Sequence, residues 1–356
     1  MIGYEIRSKV NDFIEEKRLI ADGSTVLAAV SGGADSLCLL YVLHDIMKAG
    51  RKMELKAVHV NHHLREDADK DADHVKKCCE SLGVPLSIYD VDVEERMARE
   101  GVSCEEAGRL LRYEAFAKEA EKAEIQDVLI AVAHTMNDRA ETMLINMWRG
   151  SGLKGLAGIP VRRDNIIRPL LCLSRAETER YLDECSVSYC IDKTNEEDDY
   201  TRNRIRHHIL PKAEDAVNEQ AVLHMNETAD QIIKAEDYIE AGVKAAYAEC
   251  VSEETVGLEV SEKQCALHID KNSFLSLHEY MQERLLLRCM ERVCGKAKDI
   301  SAVHVKALKG LFYKGRGKRL DLPYYITAVR REGYVVMYLQ PDKFIGKNKP
   351  MPKKHQ

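Results

Sequence analysis

Between residues 24 and 149, four apolar runs of strand length alternate with four helical segments, and this alternation leaves few folds open to the chain. The strands are expected at Ser24–Val30, Glu54–Val60, Leu86–Val91 and Asp127–Ala133, each followed by a helix. Gly83 and Pro85 end the second helix, and Ser103 with Glu106 forms a capping box that opens the third. A strand that returns through a helix runs parallel to its predecessor, so the expected class is α/β, a Rossmann-like parallel sheet covered by helices on both faces. In such sheets ligands lie beyond the carboxyl ends of the strands.

The chain has 356 residues, more than one core of roughly 250–300 residues accommodates, so more than one domain is expected. The reading places an amphipathic helix at 1–20, the α/β domain at 21–211, and a helical region at 212–299, where Gly and Pro are almost absent. A small basic β-containing domain follows at 300–342, with a flexible basic tail at 343–356. Tyr324–Arg330 and Tyr334–Leu339 form a hairpin pattern around Arg331-Glu332-Gly333. No apolar run approaches the ~20 residues of a membrane helix. The amino terminus lacks a secretory pattern, and the eleven cysteines follow no disulfide spacing, which points to reduced thiols in the cytoplasm. Formal charge is −6 overall, yet residues 301–356 carry 13 Lys or Arg against 3 Asp or Glu. Such a basic segment, interleaved with Tyr313, Tyr324, Tyr325 and Tyr334, suits a polyanion.

The sharpest motif is Ser31-Gly32-Gly33-Ala34-Asp35-Ser36, directly after the first strand and before its helix. Glycines permit a tight turn and close approach to an anion, and the next helix offers free N–H groups with partial positive charge. The Gly-Lys-Ser/Thr ending of a Walker loop is missing, as is Gly-x-Gly-x-x-Gly. Asp35 within an anion-binding turn implies a neutralising cation, and Mg²⁺ carried by a nucleotide is the natural one.

Further motifs follow in order: His59-Val60-Asn61-His62-His63-Leu64-Arg65, Arg109-Leu110-Leu111-Arg112-Tyr113, and His134-Thr135-Met136-Asn137-Asp138-Arg139-Ala140-Glu141-Thr142. Then come Arg149-Gly150-Ser151-Gly152, Arg168-Pro169-Leu170-Leu171, Asp192-x-x-Asn195 and Tyr200-Thr201-Arg202-Asn203-Arg204-Ile205-Arg206. Over residues 24 to about 211 this ordered set resembles the PP-loop (N-type) ATP pyrophosphatases, and within them the tRNA(Ile)-lysidine synthetases. The resemblance implies a sheet of the adenine nucleotide α-hydrolase type and a two-step ligase reaction. The wobble cytidine of an isoleucine tRNA with a CAU anticodon is adenylated at O2 by ATP with Mg²⁺, and the ε-amine of free L-lysine then displaces AMP. It further implies that Ser31, Gly32, Gly33, Ala34, Asp35, Ser36 and His59 hold ATP, with Asp35 serving the Mg²⁺ of its phosphates. Asp35, Asp138, Glu141 and Arg206 are the catalytic candidates, and Arg65, Arg112, Arg202 and Arg206, with Asp138 and Glu141, the contacts to lysine or tRNA. The oligomeric state is left open, a homodimer included.

The second step needs a neutral amine, and at pH 7 a lysine with pKa near 10.4 carries a handicap of about 4.6 kcal/mol. Asp138 and Glu141, three apart on one helix face, are suited to bind the ammonium, although carboxylates raise its pKa and so aid recognition more than deprotonation. The same acidic pair also suits a helix dipole. His59, His62 and His134 show no zinc spacing. Asn137 and Arg139 stand where the family usually has Asp and Gln, so Arg139 is expected to alter the pocket. Two other readings compete. A tRNA thiolase of the same superfamily would require a cysteine pair, and no Cys-x-x-Cys exists here. A non-catalytic tRNA-binding module would have no use for Asp35, Asp138 and Glu141 together.

Overall fold

The computed structural model describes residues 2–64, 68–122, 128–190, 201–257, 263–295 and 300–340. The chain divides into two compact units, Met1–Ile233 and Lys234–Gln356.

The first unit runs α1 (Ile2–Glu16), β1 (Ser24–Ala29), α2 (Ala34–Lys48), β2 (Met53–Asn61), α3 (Ala68–Leu82), β3 (Leu86–Asp90), α4 (Val93–Glu100), α5 (Cys104–Lys122), β4 (Leu129–Ala131) and α6 (Met136–Trp148). It continues with α7 (Leu153–Leu156), β5 (Arg162–Arg163), β6 (Ile166–Ile167), α8 (Arg175–Glu184), α9 (Thr201–Arg204), a π-helical turn at Ile205–Ile209 and α10 (Leu210–Ala216). Its sheet has the order β3-β2-β1-β4-β6-β5. All pairings are parallel except β5 with β6. The first four strands are the expected ones, and the order places β1 centrally, flanked by β2 and β4. That position explains its composition: Val26, Leu27 and Ala28 are buried on both faces. On one face they meet Leu37, Leu40, Leu43 and the α1 residues Ile6, Val10 and Ile14; on the other, Leu27 packs with Val58, Phe116 and Ile130. Strand order reverses around β1, so the carboxyl ends of β1, β2 and β4 open onto one crevice.

α11 (Ala221–Cys250) begins in the first unit and ends in the second. The second unit adds β7 (Val251–Gly257), β8 (Lys263–Asp270), α12 (Lys271–Ser276), α13 (Glu279–Cys294), α14 (Ala302–Leu311), β9 (Arg319–Asp321), β10 (Ile326–Arg330) and β11 (Tyr334–Leu339). These strands form an antiparallel sheet in the order β7-β8-β11-β10-β9. The expected hairpin is present, with Ile326 opposite Leu339 and Arg330 opposite Val335.

Three expectations are corrected here. Residues 212–299 are not all helical, because β7 and β8 lie within them; β8 gains its strand conformation by pairing with β11, more than sixty residues away, which local periodicity does not register. Nor is 300–342 a domain by itself. Leu308, Phe312, Ile326, Val335 and Met337 share one core with Leu267, Phe274, Leu286 and Met290. The first unit also extends past 211, since Leu210 and Val222 pack on Met136 and Ala140 of α6. The expected tail at 343–356 lies outside the described residues. No helix among the described residues is long and apolar enough to cross a membrane.

Candidate functional site

The turn after β1 is built by its own side chains. Gly32 adopts φ +94°, where an L side chain is strained, and a Cβ there would meet Val75 Cγ2 at 3.4 Å and Cys190 Sγ at 3.5 Å. Ser36 Oγ accepts from Ser31 N at 3.1 Å and donates to Gly33 O at 2.9 Å, while Ser31 Oγ lies 3.1 Å from it. From the other side Cys190 N donates to Gly32 O at 2.9 Å. The result is a short cradle whose open side is the first turn of α2, where backbone N–H groups have no intrahelical acceptor.

Asp35 lies in that first turn and faces α8. Thr178 Oγ1 donates to Asp35 Oδ1 at 2.7 Å, and Arg175 Nη2 lies 3.5 Å from Oδ2. Burial raises the Asp35 pKa above the ordinary carboxylate value, with Arg175 and Thr178 opposing it. Arg175 and Thr178 were not singled out from the sequence, because α8 is 140 residues from the glycine turn and only the fold brings them together. Asn137 accounts for part of that alignment: its Oδ1 accepts from Arg175 N at 3.0 Å, tying the start of α8 to the start of α6.

α6 opens with a capping box in which Asp138 Oδ2 accepts from Thr135 N at 2.8 Å and Thr135 Oγ1 at 3.1 Å. Asp138 Oδ1 receives Arg202 Nη2 at 3.1 Å and Arg206 Nη2 at 3.4 Å. Glu141 is fully buried; its Oε2 accepts from Arg202 Nε at 2.6 Å and its Oε1 from Arg206 Nε at 2.7 Å. The acidic pair therefore holds two guanidinium groups, a buried four-residue network. Burial works against the Asp138 carboxylate, but Arg202, His134 and the Thr135 N–H outweigh it and leave its pKa below the ordinary value. A carboxylate so stabilised is a weak base, which favours recognition of a cation over removal of its proton.

His134 closes β4. Its Nδ1 accepts from Arg168 Nε at 3.2 Å, which leaves the ring proton on Nε2. Burial first, then the nearby Arg168, Arg202 and Arg112, push its pKa down from 6.5 to about 4. His62 is likewise held down at about 4 by burial and by Arg112. His59 Nδ1 lies 2.8 Å from Val30 O and so locks the end of β2 to the end of β1. Its pKa is lowered by burial.

Two adjoining cavities share Ser31, Ser36, Asp71, Arg112 and His134. The first, about 440 Å³, is lined by Val30, His59, His62, Tyr113 and Phe116, apolar walls with imidazoles at the rim. His62 Nδ1 is buried and has no hydrogen-bond partner among the described residues. The second, about 610 Å³, is lined by Gly33, Asp35, Asp138, Arg175, Arg202 and Arg206. The structure thus brings together all the site candidates except Arg65, which lies outside the described residues, as do Asp192, Asn195 and Tyr200; Glu141 sits behind the wall rather than on it.

Arg139 does not alter the pocket as expected. Its side chain turns away from the cavities, Nη1 pairing with Asp230 at 2.8 Å and Nε donating to Ala157 O at 3.2 Å. Among the described residues no group of three or more His, Cys, Asp or Glu is placed to hold a metal ion. Asp35, the carboxylate within the glycine turn itself, fits a cation that arrives on phosphates rather than one held by protein ligands alone.

A PP-loop domain family matches residues 3–213. The tRNA(Ile)-lysidine synthase of Caldanaerobacter subterraneus is 35% identical over 92% of this chain and 68% of its own length. That of Clostridioides difficile is 34% identical over 93% of this chain and 70% of its own. Among solved structures, the U34-tRNA thiolase of Methanococcus maripaludis has the same fold at TM-score 0.55 and 18% identity, covering 65% of this chain and 80% of that one. With a PP-loop domain across its first unit and such identity along nearly its whole length, the chain belongs to the tRNA(Ile)-lysidine synthase family.

Proposed function

We propose that this chain converts the wobble cytidine of isoleucine tRNA to lysidine at the cleft beyond β1, β2 and β4, using ATP, Mg²⁺ and free L-lysine. The observation that carries the reading is a shared wall. The glycine cradle with Asp35 and the network of Asp138, Arg202 and Arg206 line one cavity, so a phosphate site and a cation-recognising site face the same space.

In the first step the cytidine O2 attacks the α-phosphorus of ATP, an O–P bond forms, and the bond to pyrophosphate breaks. The cradle Ser31–Ser36 and the first turn of α2 hold the β- and γ-phosphates, and Arg175 stands beside Asp35 to offset charge on the departing pyrophosphate. Mg²⁺, when bound, neutralises the phosphates, and Asp35 is the carboxylate placed to meet it. The adenosine occupies the apolar cavity, where Tyr113 and Phe116 supply the wall.

In the second step the ε-ammonium first loses a proton to solvent, the free amine attacks C2, the C2–O bond breaks, AMP leaves with that oxygen, and the nitrogen passes one further proton to solvent. Asp138 and Glu141 recognise the ammonium; to do so they exchange part of their present pairing with Arg202 and Arg206, which become available to AMP phosphate or the substrate carboxylate. Arg112, exposed at the mouth of both cavities, is assigned to the tRNA backbone.

The test is mass analysis of isoleucine tRNA after incubation with ATP, Mg²⁺ and labelled lysine. Lysidine with AMP and pyrophosphate is the expected outcome; ADP and orthophosphate would overturn the reading.

A further inference from the structure

Trp148 is the only tryptophan of the chain, and it is 56% exposed at the end of α6, beside the exposed Met147. A single exposed apolar residue is ordinary on any surface, so position and charge have to decide what it does. Trp148 stands seven residues beyond Glu141, so on an α-helix it lies within about 20° of the same face and about 10 Å further along the axis. The intervening Leu144 and Ile145 pack against Met136, Ala140, Ile205 and Leu210. The stripe of α6 that begins at Glu141 thus continues under cover for one turn and emerges at Trp148.

Charge along this stretch of the chain is one-sided. From Thr142 to Arg163 the chain carries Arg149, Lys154, Arg162 and Arg163 and no carboxylate, although the protein as a whole is at −6. All four cations are exposed. Arg163 also reaches back to the site, its guanidinium 5.8 Å from the ring of Tyr113, which lines the apolar cavity.

We infer that Trp148 is a stacking platform for a single-stranded nucleotide of the anticodon loop, with Arg149 and Lys154 meeting the adjoining phosphates. The inference rests on the proposed function above, since it takes the reacting cytidine to sit at the Asp138–Glu141 end of α6. An aromatic face beside cations is the pattern by which proteins hold unpaired bases without reading them through hydrogen bonds. At about 3.4 Å per stacked nucleotide, the 10 Å from Glu141 to Trp148 spans roughly three nucleotides, which keeps the contact inside the loop. Arg149 and Lys154 are spaced around the Gly150–Gly152 turn, where backbone conformational freedom lets a phosphate approach closely.

Because Trp148 is the only tryptophan, emission excited at the red edge of the band, where the tyrosines do not absorb, reports on this residue. Titration with an unmodified isoleucine tRNA transcript, without ATP, is expected to quench that emission and protect it from acrylamide. A seventeen-nucleotide anticodon stem-loop is expected to do the same. Trp148→Ala should raise the Kd for either RNA by about 5- to 100-fold, with Trp148→Phe retaining most of the affinity. Replacing Arg149 and Lys154 by Gln should lower the salt slope of binding by about 1.4. Unchanged emission at saturating tRNA, with that tRNA still converted to lysidine, would overturn the inference and leave the function intact. Absence of conversion of any tRNA would instead strike at the function itself. Emission that shifts with protein concentration in the absence of RNA would assign the patch to a second copy of the chain and equally overturn it.

Discussion

Arg206 Nε donates to Glu141 Oε1 at 2.7 Å while Arg202 Nε donates to Glu141 Oε2 at 2.6 Å, so a carboxylate with no exposed surface has both oxygens taken by guanidinium groups. A buried charge tolerates this burial only because its partners are charged and well oriented. Removing Arg206 leaves Glu141 with Arg202 alone, and removing the Glu141 charge leaves Arg206 with only the longer contact to Asp138. Glu141→Gln and Arg206→Ala should each destabilise the first unit by about 3–5 kcal/mol. Their double variant should lose less than the sum, by more than about 1 kcal/mol. Urea unfolding of the four proteins measures this, and simple additivity would show that the pair is not energetically coupled.

Asp35→Ala should abolish AMP formation and leave the tRNA complex intact, as seen by gel shift; loss of tRNA binding would discredit its role at the phosphates. Thr178 acts one step removed, by fixing the Asp35 carboxylate through a 2.7 Å hydrogen bond. Thr178→Val should therefore raise the Mg²⁺ concentration for half-maximal AMP formation several-fold, and Thr178→Ser should restore it. Equal Mg²⁺ requirements in all three proteins would reduce Thr178 to packing.

Asp138→Asn should raise the KM for lysine, and an unchanged value would exclude Asp138 from the amine pocket. The same substitution weakens the cap on Thr135 and the pairing with Arg202, so the melting temperature should fall as well. The two readouts separate recognition from structure.

His62 and His134 have their pKa values depressed to about 4 from an ordinary 6.5, mainly by burial. The unfolded chain then binds more protons than the folded one between those limits. Their contribution is accordingly intact above pH 6.5 and is lost as pH falls towards 4. The melting temperature should drop across that window. His134→Gln should flatten the drop, and an identical pH profile would show that His134 is not a source of it.

Cutting the chain before Ser301 should unfold the second unit rather than merely weaken tRNA binding. It removes Leu308, Phe312, Ile326, Val335 and Met337 from a core completed by Leu267, Phe274 and Leu286. Circular dichroism and limited proteolysis of the truncated protein check this; a compact product that resists protease would restore 300–342 as an appendage.

Residue order alone determined the four parallel strands β1 to β4, the turn at Ser31–Ser36 and the presence of α6, because each rests on local causes such as strand-length apolar runs and glycines at a turn, whereas β5 and β6 were not legible. Asp138 and Glu141 were legible as one helix face for the same reason. What they touch was not. Arg202 and Arg206 lie more than sixty residues away, and only packing of α9 and the π-helical turn on α6 shows that the acids are already paired. Thr178 and Arg175 were invisible as partners of Asp35 until α8 closed on α2, and Arg139 left the pocket because Asp230 drew it to α11. The strands β7 and β8 belong with these, since the hydrogen bonds of β8 to β11, and of β7 to β8, outweigh a composition that reads as helix. Propensity and capping act over a few residues, whereas ion pairs and sheet registers join residues whose separation along the chain carries no signal, and those were decided by the tertiary structure.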